Sequence, residues 1–155
     1  MSIIYRVLRL GEEDAVCRLI EESFNEFVAP EYSETGVKEF FKYSNPQSLK
    51  ERAEKGNLVL LALDKNKLVG VIEIRSYNHI SLLFVKTEYH NKGIAARLLK
   101  LSLESSRRAN PLLDSVDVNS SPYAVDIYEK LGFERTGMEQ EVNGIKFTPM
   151  KLIFR

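Results

Sequence analysis

The chain has 155 residues, 44% hydrophobic and 28% charged, with 22 basic side chains against 22 acidic ones. That size and balance predict one globular domain and exclude a general nucleic-acid binder, which carries an excess of basic charge. A lone cysteine, Cys17, excludes an internal disulfide, and the sequence contains neither an 18-residue apolar run nor a signal-peptide pattern at Met1-Ser2-Ile3-Ile4-Tyr5-Arg6, so a cytoplasmic protein without a membrane partner is expected.

Residues 3–9 alternate Ile3, Tyr5, Val7 and Arg9 against Ile4, Arg6 and Leu8, which predicts a strand broken by Gly11. Val16, Leu19, Ile20, Phe24 and Phe27 then recur at helical spacing, predicting a helix from about Glu12 to Val28 that Pro30 ends. Residues 34–43 and 47–55 read as two helical pieces split at Asn45-Pro46. Strands are expected over 58–63, 68–75 and 79–85, with turns at 64–67 and at Tyr77-Asn78. A helix follows over 92–108, with Ala95, Leu98, Leu99 and Leu103 on one face and Asn110-Pro111 as its stop. Leu113 to Val118 reads as a strand and 122–131 as a helix ending at Gly132. Phe133 to Gly137 and Ile145 to Phe154 read as closing strands around the Asn143-Gly144 turn. The alternation fits one mixed α/β domain over 1–155, without repeat or linker.

Charge is segregated along the chain. Residues 11–41 hold nine acids against Arg18 and Lys38, whereas 86–110 hold six bases against Glu88 and Glu104. The basic segment contains His90-Asn91-Lys92-Gly93-Ile94-Ala95, a short glycine-containing turn between an apolar strand and an amphipathic helix. The first turn of a helix offers backbone N–H groups without intrahelical partners and the positive end of the macrodipole. Such a junction binds phosphate groups. Gly93 lets the backbone approach a bulky anion, and Ala95 keeps the wall low.

The stretch Val85 to Leu99 resembles the acetyl-coenzyme A signature of the GNAT (GCN5-related) N-acetyltransferases, Gln/Arg-x-x-Gly-x-Gly/Ala at a strand-to-helix junction. Asn119-Ser120-Ser121-Pro122-Tyr123-Ala124-Val125-Asp126-Ile127-Tyr128-Glu129-Lys130-Leu131-Gly132-Phe133 resembles the family's later motif, an Asn followed by a short helix ending Tyr-x-x-x-Gly-Phe. The resemblance is specific over roughly 58–135 and generic over 1–57. Two positions depart from it: His90 replaces the usual Gln/Arg, and Thr87 replaces a frequent Pro. It implies a mostly antiparallel mixed sheet of about seven strands flanked by about four helices.

The resemblance also implies roles. The pantetheine arm of acetyl-CoA would pair with the backbone of Leu83, Phe84 and Val85. The turn His90, Asn91, Lys92, Gly93, Ile94 and Ala95 would hold the pyrophosphate through the amides of Asn91 to Ala95; the His90 ring would either hydrogen-bond a phosphate or, as the favoured alternative, sit exposed. Asn119 would contact the pantetheine, and Tyr128 would be the general acid that protonates the leaving thiolate. A strand-borne base is expected at His79 or, as its rival, Glu73. A two-residue turn at 77–78 would put these two on opposite faces, unless a bulge intervened. Cys17 reads as a small core residue, so direct transfer without an acyl-enzyme is expected. No metal is implied.

The acceptor implied is a primary amine, on a small molecule or a peptide, drawn to an acidic and aromatic segment that includes Glu31 and Glu34. The protein would act as a monomer or homodimer. The alternative is a coenzyme A-binding sensor or interaction module without activity.

Overall fold

Long apolar runs such as Leu58–Asp64 and Lys67–Arg75 bury nearly every side chain, which requires a sheet covered on both faces. The computed structural model describes residues 2–154; Met1 and Arg155 lie outside the described residues. It has the strands β1 (Ile3–Val7), β2 (Leu58–Asp64), β3 (Lys67–Arg75), β4 (His79–Val85), β5 (Ser115–Ser120), β6 (Glu134–Arg135), β7 (Gln140–Val142) and β8 (Ile145–Ile153). They form an eight-stranded sheet ordered β1-β2-β3-β4-β5-β8-β6, with β7 paired to β8. Every pairing is antiparallel except β4 with β5.

Five α-helices cover it: α1 (Glu13–Ser23), α2 (Glu34–Tyr43), α3 (Pro46–Glu54), α4 (Ile94–Ala109) and α5 (Val125–Lys130). One face packs Ile72, Ile74, Ile80 and Val118 against Ile94, Leu98 and Leu103 of α4 and Val125 and Tyr128 of α5. The other packs Val59, Leu61, Val71 and Leu82 against Val16, Leu19 and Ile20 of α1 and Leu49 of α3. Gly70 lets α4 lie close on β3: a Cβ there would meet Leu98 Cδ1 at 3.2 Å and Ile94 Cγ2 at 3.3 Å.

The split at Asn45-Pro46 is as expected, with Ser33 and Asn45 side chains accepting from Gly36 N–H and Ser48 N–H as caps. Three expectations change. The helix beginning near Glu12 does not run straight to Val28. Phe24–Val28 is a π-helical turn followed by a 3-10 turn over Ala29–Glu31. At the other end of the chain, the strand flanking the Asn143-Gly144 turn is β7, absent from the expected elements, and the expected strand over 133–137 shrinks to β6. The β3–β4 turn is Ser76-Tyr77-Asn78 rather than two residues, with Ser76 and Tyr77 at positive φ. Arg75 therefore pairs with His79, and Ser81 is an extra residue between the Ile74–Ile80 and Glu73–Leu82 pairs. Glu73, Arg75 and His79 consequently share one face of the sheet, contrary to the opposite-face expectation.

Candidate active site

β4 and β5 are joined at only two rungs, His79–Asp117 and Ile80–Val118. Beyond them the strands part. The Lys86 N–H donates to Val69 O at 2.8 Å, which fixes the parity of the β3–β4 ladder. By that parity Phe84 spends its N–H and C=O on β3, while Leu83 and Val85 turn theirs into the gap. Of the expected run Leu83-Phe84-Val85, only the alternate residues Leu83 and Val85 therefore have backbone groups free of β3. His90 Nε2 lies 2.8 Å from Val85 O. A carbonyl only accepts, so this nitrogen carries the proton. His90 is half-buried rather than exposed as expected, and it ties the loop back to the strand.

The gap opens into a cavity of about 520 Å³, within the usual range for small-molecule sites. Leu83, Phe84, Val85, His90, Asn91, Gly93, Ile94, Ala95, Asn119 and Tyr128 all line it. Lys92 does not. At one end Asn91 (φ +61) and Gly93 (φ +80) turn the chain into α4. No Cβ at Gly93 would meet another atom within 4 Å, so the requirement there is conformational. The first amide of α4 bonded to the preceding chain is Arg97 N–H, to Gly93 O at 3.0 Å. Among the described residues the amides from Asn91 to Ala96 have no backbone acceptor. They converge at the N-terminus of a 16-residue helix, and Ala95 and Ala96 line the cavity beside them. Free amides at a helix N-terminus form a cradle that can take an anion.

Tyr128 is 6% exposed, with its ring edge-on to Phe133 at 5.2 Å. Among the described residues no hydrogen bond engages its hydroxyl. Burial alone pushes its pKa far above the ordinary tyrosine value, so the phenol keeps its proton at any physiological pH. The Ser81 bulge residue also lines the cavity, and its buried hydroxyl faces the buried hydroxyl of Tyr43.

Neither expected base reaches the lining. Glu73 is fully buried, and its carboxylate accepts from Arg52 Nε at 2.8 Å, Arg52 Nη2 at 3.0 Å and Asn57 Nδ2 at 2.8 Å. Arg52 in turn donates to Tyr43 O and lies over the Tyr43 ring at 3.5 Å. Glu73 is thus the buried half of an ion pair tying α3 to β3. His79 Nδ1 donates to Asp117 Oδ1 at 2.5 Å and clasps β4 to β5 at the apex of the gap. Cys17 is half-buried, and burial raises its thiol to about 11, leaving it inert as a nucleophile at neutral pH.

Residues outside the motifs complete the site. The π turn brings Phe24, Phe27 and Val28 into the lining, where Phe27 stacks on Tyr123 at 4.7 Å and approaches His90 at 5.5 Å. Thr87 Oγ1 donates to Glu26 Oε2 at 3.0 Å, joining that turn to the motif loop. Tyr123 lay inside the later motif with no role attached, and no local sequence signal marks it. Among the described residues there is no cluster of metal-ligating side chains, and no helix is long and apolar enough to cross a membrane.

Solved structures share this architecture. A GCN5-related N-acetyltransferase from Rhodopseudomonas palustris superposes with a TM-score of 0.83 at 20% identity, covering 99% of this chain and 97% of its own. The PaiA N-acetyltransferase from Thermoplasma acidophilum, solved with coenzyme A, gives 0.80 at 22% identity over 99% and 100%. A spermidine N-acetyltransferase from Vibrio cholerae, solved with CoA and spermine, gives 0.67 at 20% identity over 97% and 95%. At these identities the likeness speaks for the fold. The family model described as "Acetyltransferase (GNAT) domain" matches residues 28–154, and with the splayed strands, the amide cradle and Tyr128 in one cavity, the chain belongs to the GNAT acetyltransferase family.

Proposed function

We propose that the protein is an N-acetyltransferase that moves the acetyl group of acetyl-CoA directly to a primary amine. The observation that carries this reading is the continuity of one cavity from the unpaired amides of Asn91 to Ala96, along the free edge of β4, to the Tyr128 hydroxyl.

The residues present fit coenzyme A. The amide cradle takes the pyrophosphate. The Leu83 N–H and C=O and the Val85 N–H offer a sheet edge to the amides of the pantetheine arm, with Asn119 facing them from β5. Bound there, acetyl-CoA supplies an activated acyl thioester. The Leu83 N–H, just past the bulge, stabilises the negative charge that develops on the thioester oxygen. The amine lone pair forms the new C–N bond as the C–S bond breaks. Tyr128 Oη gives its proton to the departing sulfur, and the proton shed by the amine passes to water and restores the phenol. With Glu73 and His79 engaged elsewhere, deprotonation of the amine follows its own ionisation in water.

Calorimetric titration with coenzyme A tests the donor site. Wild type binds stoichiometrically, and Ala95→Glu, which sets a carboxylate in the cradle, loses binding at least roughly tenfold. Undiminished binding by this variant would place coenzyme A elsewhere. A binding module without activity is the second reading. It is favoured only if coenzyme A binds while no amine prompts thiol release.

A further inference from the structure

The cavity has a second end, and its chemistry differs from that of the chain segment around it. Residues 11–41 are strongly acidic, yet no Asp or Glu lines the cavity. Instead Phe24 stacks on Phe40 at 3.9 Å, meets Tyr32 edge-on at 5.5 Å, and Phe40 meets Phe84 at 6.2 Å. Burial, and after it the nearby Glu31 carboxylate outside the lining, raise the Tyr32 phenol to about 12, so the phenol itself supplies no negative charge. The polar groups at this end are the hydroxyls of Ser23, Tyr32 and Ser81. An adjoining hollow of about 240 Å³ shares Asn119 and Ile145 and contains one carboxylate, Glu39. That carboxylate already accepts from Lys42 Nζ at 2.9 Å. Glu31 and Glu34 stand on the exposed surface, and Glu34 pairs with Lys38.

We infer that the acceptor is an amine with a single cationic nitrogen on an apolar, ring-bearing body, rather than a polyamine or an aminoglycoside. This rests on the proposed acetyl transfer and names its acceptor class. The body lies among Phe24, Tyr32, Phe40 and Phe84, and the nitrogen reaches the bulge at Ser81, beside the thioester end of the gap. A second ammonium would be buried against aromatic rings with no carboxylate to compensate its lost hydration. The same chemistry is presented by a free arylalkylamine or by the N-terminus of a peptide beginning with an aromatic residue.

The test measures kcat/KM for thiol release from acetyl-CoA with phenethylamine, a short peptide with N-terminal phenylalanine, spermidine and kanamycin. Either apolar amine is expected to exceed both polycations by at least roughly a hundredfold, and which of the two leads identifies the source. Tyr32→Asp, which adds a carboxylate to the lining, is expected to raise spermidine turnover and lower that of phenethylamine. Spermidine or kanamycin as the better wild-type substrate overturns the inference while leaving acetyl transfer intact. Coenzyme A binding with no thiol release from any amine overturns the transfer itself.

Discussion

His79 Nδ1 donates to Asp117 Oδ1 at the first of the two rungs that join β4 and β5. After the next rung, Ile80–Val118, the pairing stops and the strands part. The contact ties the strands together one rung before they part, and under the proposed function it limits the depth to which a pantetheine arm descends. His79 is therefore a positioning residue. His79→Ala should lower the melting temperature by a few degrees and weaken coenzyme A binding a few-fold. It should leave the acidic limb of the kcat pH profile in place. General-base removal costs about 10²–10⁴ in rate, so a loss of that size together with a flattened limb would return His79 to the chemistry.

Tyr128→Phe removes the proposed proton donor while keeping the ring against Phe133. Turnover should fall about tenfold or more with coenzyme A affinity nearly unchanged. Because burial raises its pKa, the phenol stays protonated on the alkaline side, and the wild-type rate should show no loss near the ordinary tyrosine value. A wild-type alkaline limb near pH 10 that vanishes in the Phe variant would show that the hydroxyl titrates freely.

The Arg52–Glu73 pair predicts stability rather than chemistry. Glu73→Ala leaves a buried guanidinium unpaired, a loss of about 3–5 kcal/mol. Denaturant unfolding measures it. Turnover per folded molecule should change little. A fully stable Glu73→Ala protein without activity would contradict this assignment.

Arg6 grips Glu12 through Nη1 at 2.9 Å and Nη2 at 2.7 Å, and the Arg9 N–H donates to the same carboxylate at 2.7 Å. The Arg6 hydrogen bonds, followed by that of Arg9, hold the Glu12 carboxyl at about 2. A folded pKa below the unfolded one contributes stability that is fully present above the ordinary carboxylate range and is lost as pH falls from about 4.5 toward 2. Glu12→Gln should be less stable than wild type by about 1 kcal/mol or less at pH 7, and the difference should vanish toward pH 2. A difference constant with pH would assign the effect to packing.

Local chemistry made half of this site legible. Gly93 and Ala95 announce a helix start whose amides are free, and Asn119 and Tyr128 fall at fixed offsets in a second motif. Leu83 and Val85 could be named, but not separated from Phe84, because ladder parity depends on the partner strand. The Ser81 bulge has no signature either: the run Ile80-Ser81-Leu82 reads as plain alternation, and the extra residue exists only relative to β3. The π turn was hidden because Phe24, Phe27 and Val28 still recur at near-helical spacing. β7 is three exposed residues with no apolar face to betray it. The acidic segment is legible only as charge, not as a wall: Glu31 and Glu34 lie close in sequence to Tyr32 and Phe40, but the two acids are exposed while the rings line the cavity.

The most direct test of acetyl transfer within this cavity is stoichiometric. Wild-type protein is mixed with acetyl-CoA and phenethylamine, free thiol is titrated, and the acetylated amine is counted by mass spectrometry. The account predicts one acetylated amine per thiol released, no acetyl left on the protein, and loss of both signals in Ala95→Glu. Acetyl retained on the protein, or thiol release that persists in that variant, would contradict it.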